Sequence, residues 1–155
     1  MKNKEVFMSA ALREAEKAYD IGETPIGAVV VKDGEIIASA HNLRETGKNV
    51  LYHAELLAID AACKKLGGWR LHQCDLYVTL EPCIMCSGAI SQARIKNLYF
   101  GASDKNGGAV LSADAKACRL FQNTNCEGGI LLEECSEILK RFFRKLRSGN
   151  KFSDK

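Results

Sequence analysis

Apolar positions along this chain switch between two spacings. Over residues 4–20, Met8, Leu12, Ala15 and Tyr19 return at every third or fourth place, which predicts a first helix with Gly22 at its end. The pattern then tightens. Residues 26–31 form an apolar, β-branched run, Lys32-Asp33-Gly34 interrupts it, and 35–40 resumes it. Asp-Gly between two strand-like runs is a hairpin signal, because both residues tolerate positive φ. A second helix is expected from near His53, with Leu56, Ile59, Cys63 and Leu66 on one face and Gly67-Gly68 as its stop. Residues 76–80 read as a buried strand, 83–92 as a helix and 98–101 as another strand. Strand, helix and strand in so short a span predict a parallel crossover. A last helix is expected over 130–147, with Cys135, Ile138, Leu139, Phe142 and Leu146 on its apolar side. Between 103 and 129 the pattern is weakest; it admits a helix near 113–121 and a fifth strand before Ile130 without requiring either. No repeat, low-complexity stretch or linker divides the chain. The expectation is one α/β domain over 1–155: a three-layer α/β/α fold on a central mixed sheet of about five strands.

Composition narrows the class. At 155 residues, 46% hydrophobic and 26% charged, the chain can bury one sizeable core. No apolar run approaches the roughly 20 residues that span a bilayer, and the charged N-terminal stretch lacks the apolar region of a signal peptide. A cytoplasmic location without membrane contact is the expectation. The seven cysteines, at 63, 74, 83, 86, 118, 126 and 135, are odd in number and widely spread, unlike a disulfide framework. Net charge is +3, yet from 140 to 155 seven Lys or Arg stand against one acidic residue, leaving −3 on the rest. This basic helix end and tail suits either a phosphate-contacting surface or the cation preference of a helix C-terminus.

Candidate chemistry gathers in two short motifs. Pro82-Cys83-Ile84-Met85-Cys86 follows an expected strand and opens an expected helix. Cysteines three apart share a helical face, and a helix N-terminus favours the thiolate that a metal requires. The redox use of Cys-x-x-Cys wants a thioredoxin-like setting, which is absent. His53-Ala54-Glu55 stands at another helix start. One imidazole and two thiolates make three ligands, which leaves a coordination position for water and marks a catalytic rather than a structural site. His41, Cys63, His72 and Cys74 are the alternatives for a fourth ligand. Core packing is the favoured use of the two cysteines, and a surface or loop position that of the two histidines. Glu55 can move protons to and from a metal-activated water. Its alternative use is as an acidic residue in the first turn of a helix.

With these residues in place, the chain resembles the zinc cytidine/deoxycytidylate deaminase superfamily, and within it the bacterial tRNA adenosine deaminases. The resemblance rests on the His-x-Glu and Pro-Cys-x-x-Cys pair that marks zinc deaminases. It extends to 22–28, His41-Asn42, 76–86, Gly101-Ala102 and Phe142-Phe143-Arg144. It implies a cytidine-deaminase-like fold and one zinc per chain on His53, Cys83 and Cys86, with Glu55 as the proton shuttle. It also implies base contacts from Asn42, from the Ala54 backbone N–H and from an apolar wall at Ile26. Pro82 would set the approach of the cysteine helix beside the substrate, and Glu81 is a candidate support for it. Family members are usually homodimers that hold a tRNA anticodon loop, here through Phe142, Phe143, Arg144 and Lys145. The implied reaction is conversion of wobble adenosine to inosine. The alternatives are deamination of a free base or nucleoside of guanine, cytosine or adenine type, and a non-catalytic zinc-stabilised partner subunit. The last would have no need of Glu55. Segments 49–52, 109–112 and 123–127 depart from the pattern of the tRNA branch.

Overall fold

The computed structural model describes residues 2–112, 116 and 118–149. Four helices and five strands follow in the order α1 (Lys2–Asp20), β1 (Gly27–Lys32), β2 (Glu35–His41), α2 (Ala54–Leu66), β3 (Cys74–Leu80), α3 (Ile84–Gln92), β4 (Asn97–Ala102), β5 (Asn125–Glu127) and α4 (Leu132–Arg147). The sheet order is β2-β1-β3-β4-β5. β1 pairs antiparallel with both β2 and β3, whereas β3, β4 and β5 run parallel. The sheet is mixed and five-stranded, as the pattern predicts.

Both faces of the sheet are covered, and β1 shows why its apolar run is continuous. Ala28 and Val30 point into one core cluster with Ala54, Ala58 and Ala62 of α2 and Ile90 of α3. Val29 and Val31 point the opposite way, into a second cluster with Met8 and Ala11 of α1 and Cys135 of α4. A strand buried on both sides loses the apolar–polar alternation of a half-exposed one. The hairpin forms where expected, with Asp33 at φ 51 and Gly34 at φ 77.

Two details differ from expectation, and two more concern elements that the pattern left open. α2 turns a narrow alanine face inward, with Ala54, Glu55, Ala58 and Ala62 buried. Ile59 and Cys63 only flank the core, and Leu66 is exposed. Small residues let the helix sit close to the sheet, so its largest apolar side chains do not mark its buried side. Leu146 of α4 is likewise exposed, beyond the end of the sheet-facing stripe. The helix near 113–121 falls largely on residues 113–115 and 117, which lie outside the described residues; 118–123 form turns. The fifth strand exists but has only three residues, all exposed, so it carries no apolar signature.

Strand direction gathers the functional segments at one end of the sheet. β2 and β3 both oppose β1, so the entry to β1 lies beside the exits of β2 and β3. Gly27 pairs with His41, and Leu80 with Ala102. Residues 23–26, 42–53, 81–83 and 103–111 therefore meet at the C-terminal ends of the parallel strands, where open α/β sheets place their ligand crevices. Close approach of α1 to β1 holds this end together. A Cβ added to Gly27 would stand 1.9 Å from the Ala11 carbonyl oxygen and 2.5 Å from the Ala15 nitrogen. Gly27→Ala is expected to destabilise the fold by about 2–3 kcal/mol in urea titration, because overpacking against backbone cannot relax. Gly68→Ala, with no atom within 4 Å of the new Cβ, should change stability little.

Candidate active site

Two helix starts supply the donor atoms. His53 is the N-cap residue of α2 and Cys83 that of α3, both in extended conformation, and neither side chain caps its own helix. They turn instead towards each other. His53 Nδ1 lies 3.7 Å from Cys83 Sγ and 3.5 Å from Cys86 Sγ. All three donor atoms lie within 4.8 Å of one another, and this is the one such cluster found among the described residues. A nitrogen and two sulfurs in this arrangement can hold a transition-metal ion.

The thiols respond to their position. A hydrogen bond from the Cys86 thiol, supported by the backbone N–H groups of Met85 and Cys86, pulls the Cys83 thiol down to about 5. Cys83 is thus a thiolate at neutral pH, the form a metal needs. The other cysteines and histidines do not complete the cluster. Cys74 is buried in the core and Cys63 packs at its edge, while Cys118 and Cys126 are exposed. His41 Nδ1 donates to Glu14 Oε2 at 2.9 Å, and His72 is exposed.

Glu55 occupies the first turn of α2, only 4% exposed. Burial pushes its carboxyl pKa upward, against the pull of a hydrogen bond from the Cys86 thiol. A cavity of about 120 Å³ is lined by Glu55 together with Ile26, His53, Leu80, Glu81, Cys83 and Asp104. A neighbouring one of about 90 Å³ shares Ile26 and His53 and adds Thr24, Asn42, Arg44 and Ala54. Asn42 is fixed there, donating from Nδ2 to the Thr24 carbonyl at 3.3 Å and accepting from the Arg44 N–H at 3.1 Å.

Ile26, Asn42, His53, Ala54, Glu55, Cys83 and Cys86 meet in this place, whereas Pro82 and the α4 residues Phe142, Phe143, Arg144 and Lys145 do not line it. Pro82 is buried, and its carbonyl accepts from the Ala109 N–H at 2.9 Å. Phe142 is 3% exposed and packs edge-on against Tyr19, their ring centroids 6.1 Å apart. That burial removes it from the exposed set on α4, which keeps Phe143 and Arg144, while Lys145 is half-buried over the Tyr19 ring. Sequence reasoning missed Thr24, Arg44 and Asp104 as lining residues, and Glu23 as an anchor. Glu23 is 1% exposed and accepts from the Thr46 N–H, tying down the loop between Asn42 and His53. A buried carboxylate whose partners are backbone groups leaves no spacing signal to find.

A family profile described as MafB19-like deaminase matches residues 2–147. The chain belongs to the MafB19-like deaminase family. A protein of Bacillus subtilis (strain 168) named tRNA-specific adenosine deaminase is 48% identical over 157 residues, covering 100% of this chain and 98% of its own length. Among solved structures, one from work on A-to-I editing by tRNA:A34 deaminases at the wobble position of transfer RNA superposes with TM-score 0.82 and 46% identity. That alignment covers 86% of this chain and 99% of the other. A guanine deaminase structure from Bacillus subtilis aligns over 64% of each chain, with TM-score 0.61 and 44% identity. The deaminase fold shared with these structures is the one described above.

The donor cluster makes a direct prediction. His53→Ala, Cys83→Ser and Cys86→Ser should each bind metal far below one equivalent, by elemental analysis of purified protein. Cys118→Ser, at an exposed cysteine, should match the parent protein.

Proposed function

We propose that this chain is a zinc-dependent deaminase that converts wobble adenosine to inosine in tRNA. The observation that carries it is the three-donor cluster with a buried carboxylate beside it. Zinc bonds of about 2.0 Å to nitrogen and 2.3 Å to sulfur, at a tetrahedral angle, place N and S about 3.5 Å apart. The separations of 3.5 and 3.7 Å fit that edge length. Three protein donors leave the fourth corner to the reaction, as in catalytic rather than structural zinc sites. When bound, zinc supplies a Lewis acid that brings the pKa of water from about 16 towards 7.

The chain's own residues do the rest. Glu55 takes the proton of the attacking water and passes it to the ring nitrogen beside the amino-bearing carbon. It then delivers the second proton to the departing amine, so adenosine and water give inosine and ammonia. Burial suits this shuttle, because a raised carboxyl pKa makes Glu55 a better proton acceptor than an exposed carboxylate. Ile26 forms an apolar wall against the base. The amide of Asn42 and the N–H of Ala54, at the open start of α2, address its polar edge.

A base in a tRNA loop must be splayed out to enter so small a cavity. Phe143 (43% exposed), Arg144 and Lys145 on α4 offer a stacking surface and cations to the RNA. Exposed Val50, Leu51, Ile84 and Leu111 belong to the segments around the site and support assembly as a homodimer. Among the described residues no helix is long and apolar enough to cross a membrane. The similarity to a guanine deaminase structure makes a free base the second reading. The zinc-loaded protein should therefore be offered an anticodon stem-loop and a panel of free purines and pyrimidines. Inosine from the stem-loop alone, with turnover falling steeply as salt rises, is the expected result; ammonia from guanine alone would replace this reading with the second.

Glu55→Ala should lower turnover by at least about a thousandfold while zinc stays near one equivalent. Phe143→Ala should raise KM for the stem-loop and leave zinc content unchanged.

A further inference from the structure

One wall of the cavity comes from the segment that follows β4. Residues 103–111 leave β4 and cross the sheet end, bringing Asp104 beside Ile26, Glu55 and Cys83. The segment is irregular, so something outside it must set its position. Its own bonds only close the turn 104–108: the Asp104 carbonyl accepts from the Gly108 N–H at 3.0 Å, and Asp104 Oδ1 from the N–H groups of Asn106 at 3.0 Å and Gly107 at 3.1 Å.

The anchor is Glu81, 5% exposed at the exit of β3. Its Oε1 accepts from the Asp104 N–H at 3.1 Å, and its Oε2 from the N–H groups of Val110 at 3.0 Å and Leu111 at 3.1 Å. The next residue continues the grip, since the Pro82 carbonyl accepts from Ala109. Gly108 sits inside this clamp. A Cβ there would stand 2.5 Å from Glu81 Cδ and 2.5 Å from the Asp104 carbonyl oxygen. Both ends of the segment thus close on one carboxylate, immediately before the cysteine motif.

We propose that Glu81 is a positioning residue for the deaminase site: it fixes segment 103–111 as the substrate-facing wall beside Glu55 and the donor cluster. The inference rests on the deaminase reading above and extends it to how the substrate is held. Three backbone donors need both carboxylate oxygens. An isosteric amide keeps one acceptor and turns an NH2 group towards the remaining N–H groups. A displaced wall weakens substrate binding before and during reaction alike, so the loss falls on KM rather than kcat. A merely structural role would lower kcat with zinc content or folded fraction and leave KM alone.

The test combines amide hydrogen exchange with steady-state kinetics on zinc-loaded Glu81→Gln. Faster exchange at Val110 and Leu111, a KM for the anticodon stem-loop raised about ten- to a hundredfold, kcat within about twofold and unchanged zinc are expected. Unchanged exchange overturns the proposal, as does an unchanged KM, whether or not kcat falls. Should Glu81→Gln not fold, Gly108→Ala displaces the same segment with the carboxylate intact and is held to the same outcomes. Wild-type protein that makes no inosine from the stem-loop would overturn the substrate reading instead. The exchange data, which need no substrate, would then still decide whether Glu81 holds the wall.

Discussion

The structure turns on two helix N-termini brought to one point. His53 and Cys83 hold N-cap positions, yet neither caps its helix. Polar residues at such positions typically contribute about 1 kcal/mol by satisfying free backbone N–H groups, and both helices forgo this. The Cys86 thiol, with the N–H groups at the start of α3, instead holds the Cys83 thiol low. The two sites are made to coincide by strand direction, because β2 and β3 finish at the same end of the sheet and each feeds one of the two helices.

Around that point the interior is unusually polar for so small a core. Glu14, Glu23, Asn42, Glu55, Thr79, Glu81 and Ser87 are all buried, and most grip a segment at this end of the sheet. Glu14 accepts from His41, Glu23 from Thr46, and Thr79 Oγ1 from the Gly27 N–H at 3.2 Å. Glu81 takes three N–H groups from the wall opposite. Buried carboxylates are costly unless hydrogen-bonded. For Glu23 and Glu81 irregular loops supply the donors, and the loops are fixed in return. Glu55 differs from these two in that its carboxyl faces the donor cluster rather than a loop backbone.

Much of this was legible in the sequence, for reasons that differ by element. α1, the β1–β2 hairpin and the β3–α3–β4 crossover carry strong periodicity or a turn dipeptide, so their positions follow within a residue or two. The donor motifs are legible because metal chemistry needs specific residue types at fixed spacing. The inward face of α2 was not, since Ala58 and Ala62 give a weaker signal than Ile59 and Leu66. β5 was open because three exposed residues pair through backbone alone. Asp104, Arg44 and the anchoring role of Glu23 depend on loops folding back across the sheet end, which no local pattern encodes. Phe142 and Phe143 are adjacent and alike in sequence; only the docking of α4 on Tyr19 separates the buried one from the exposed one.

All of this assumes that the metal sphere is left incomplete by the protein. X-ray absorption at the zinc edge of the loaded protein tests that claim most directly. Two sulfurs, one imidazole nitrogen and a single exchangeable light ligand are the result predicted. A third sulfur or a second imidazole would contradict it, since a closed sphere has no place for the reaction.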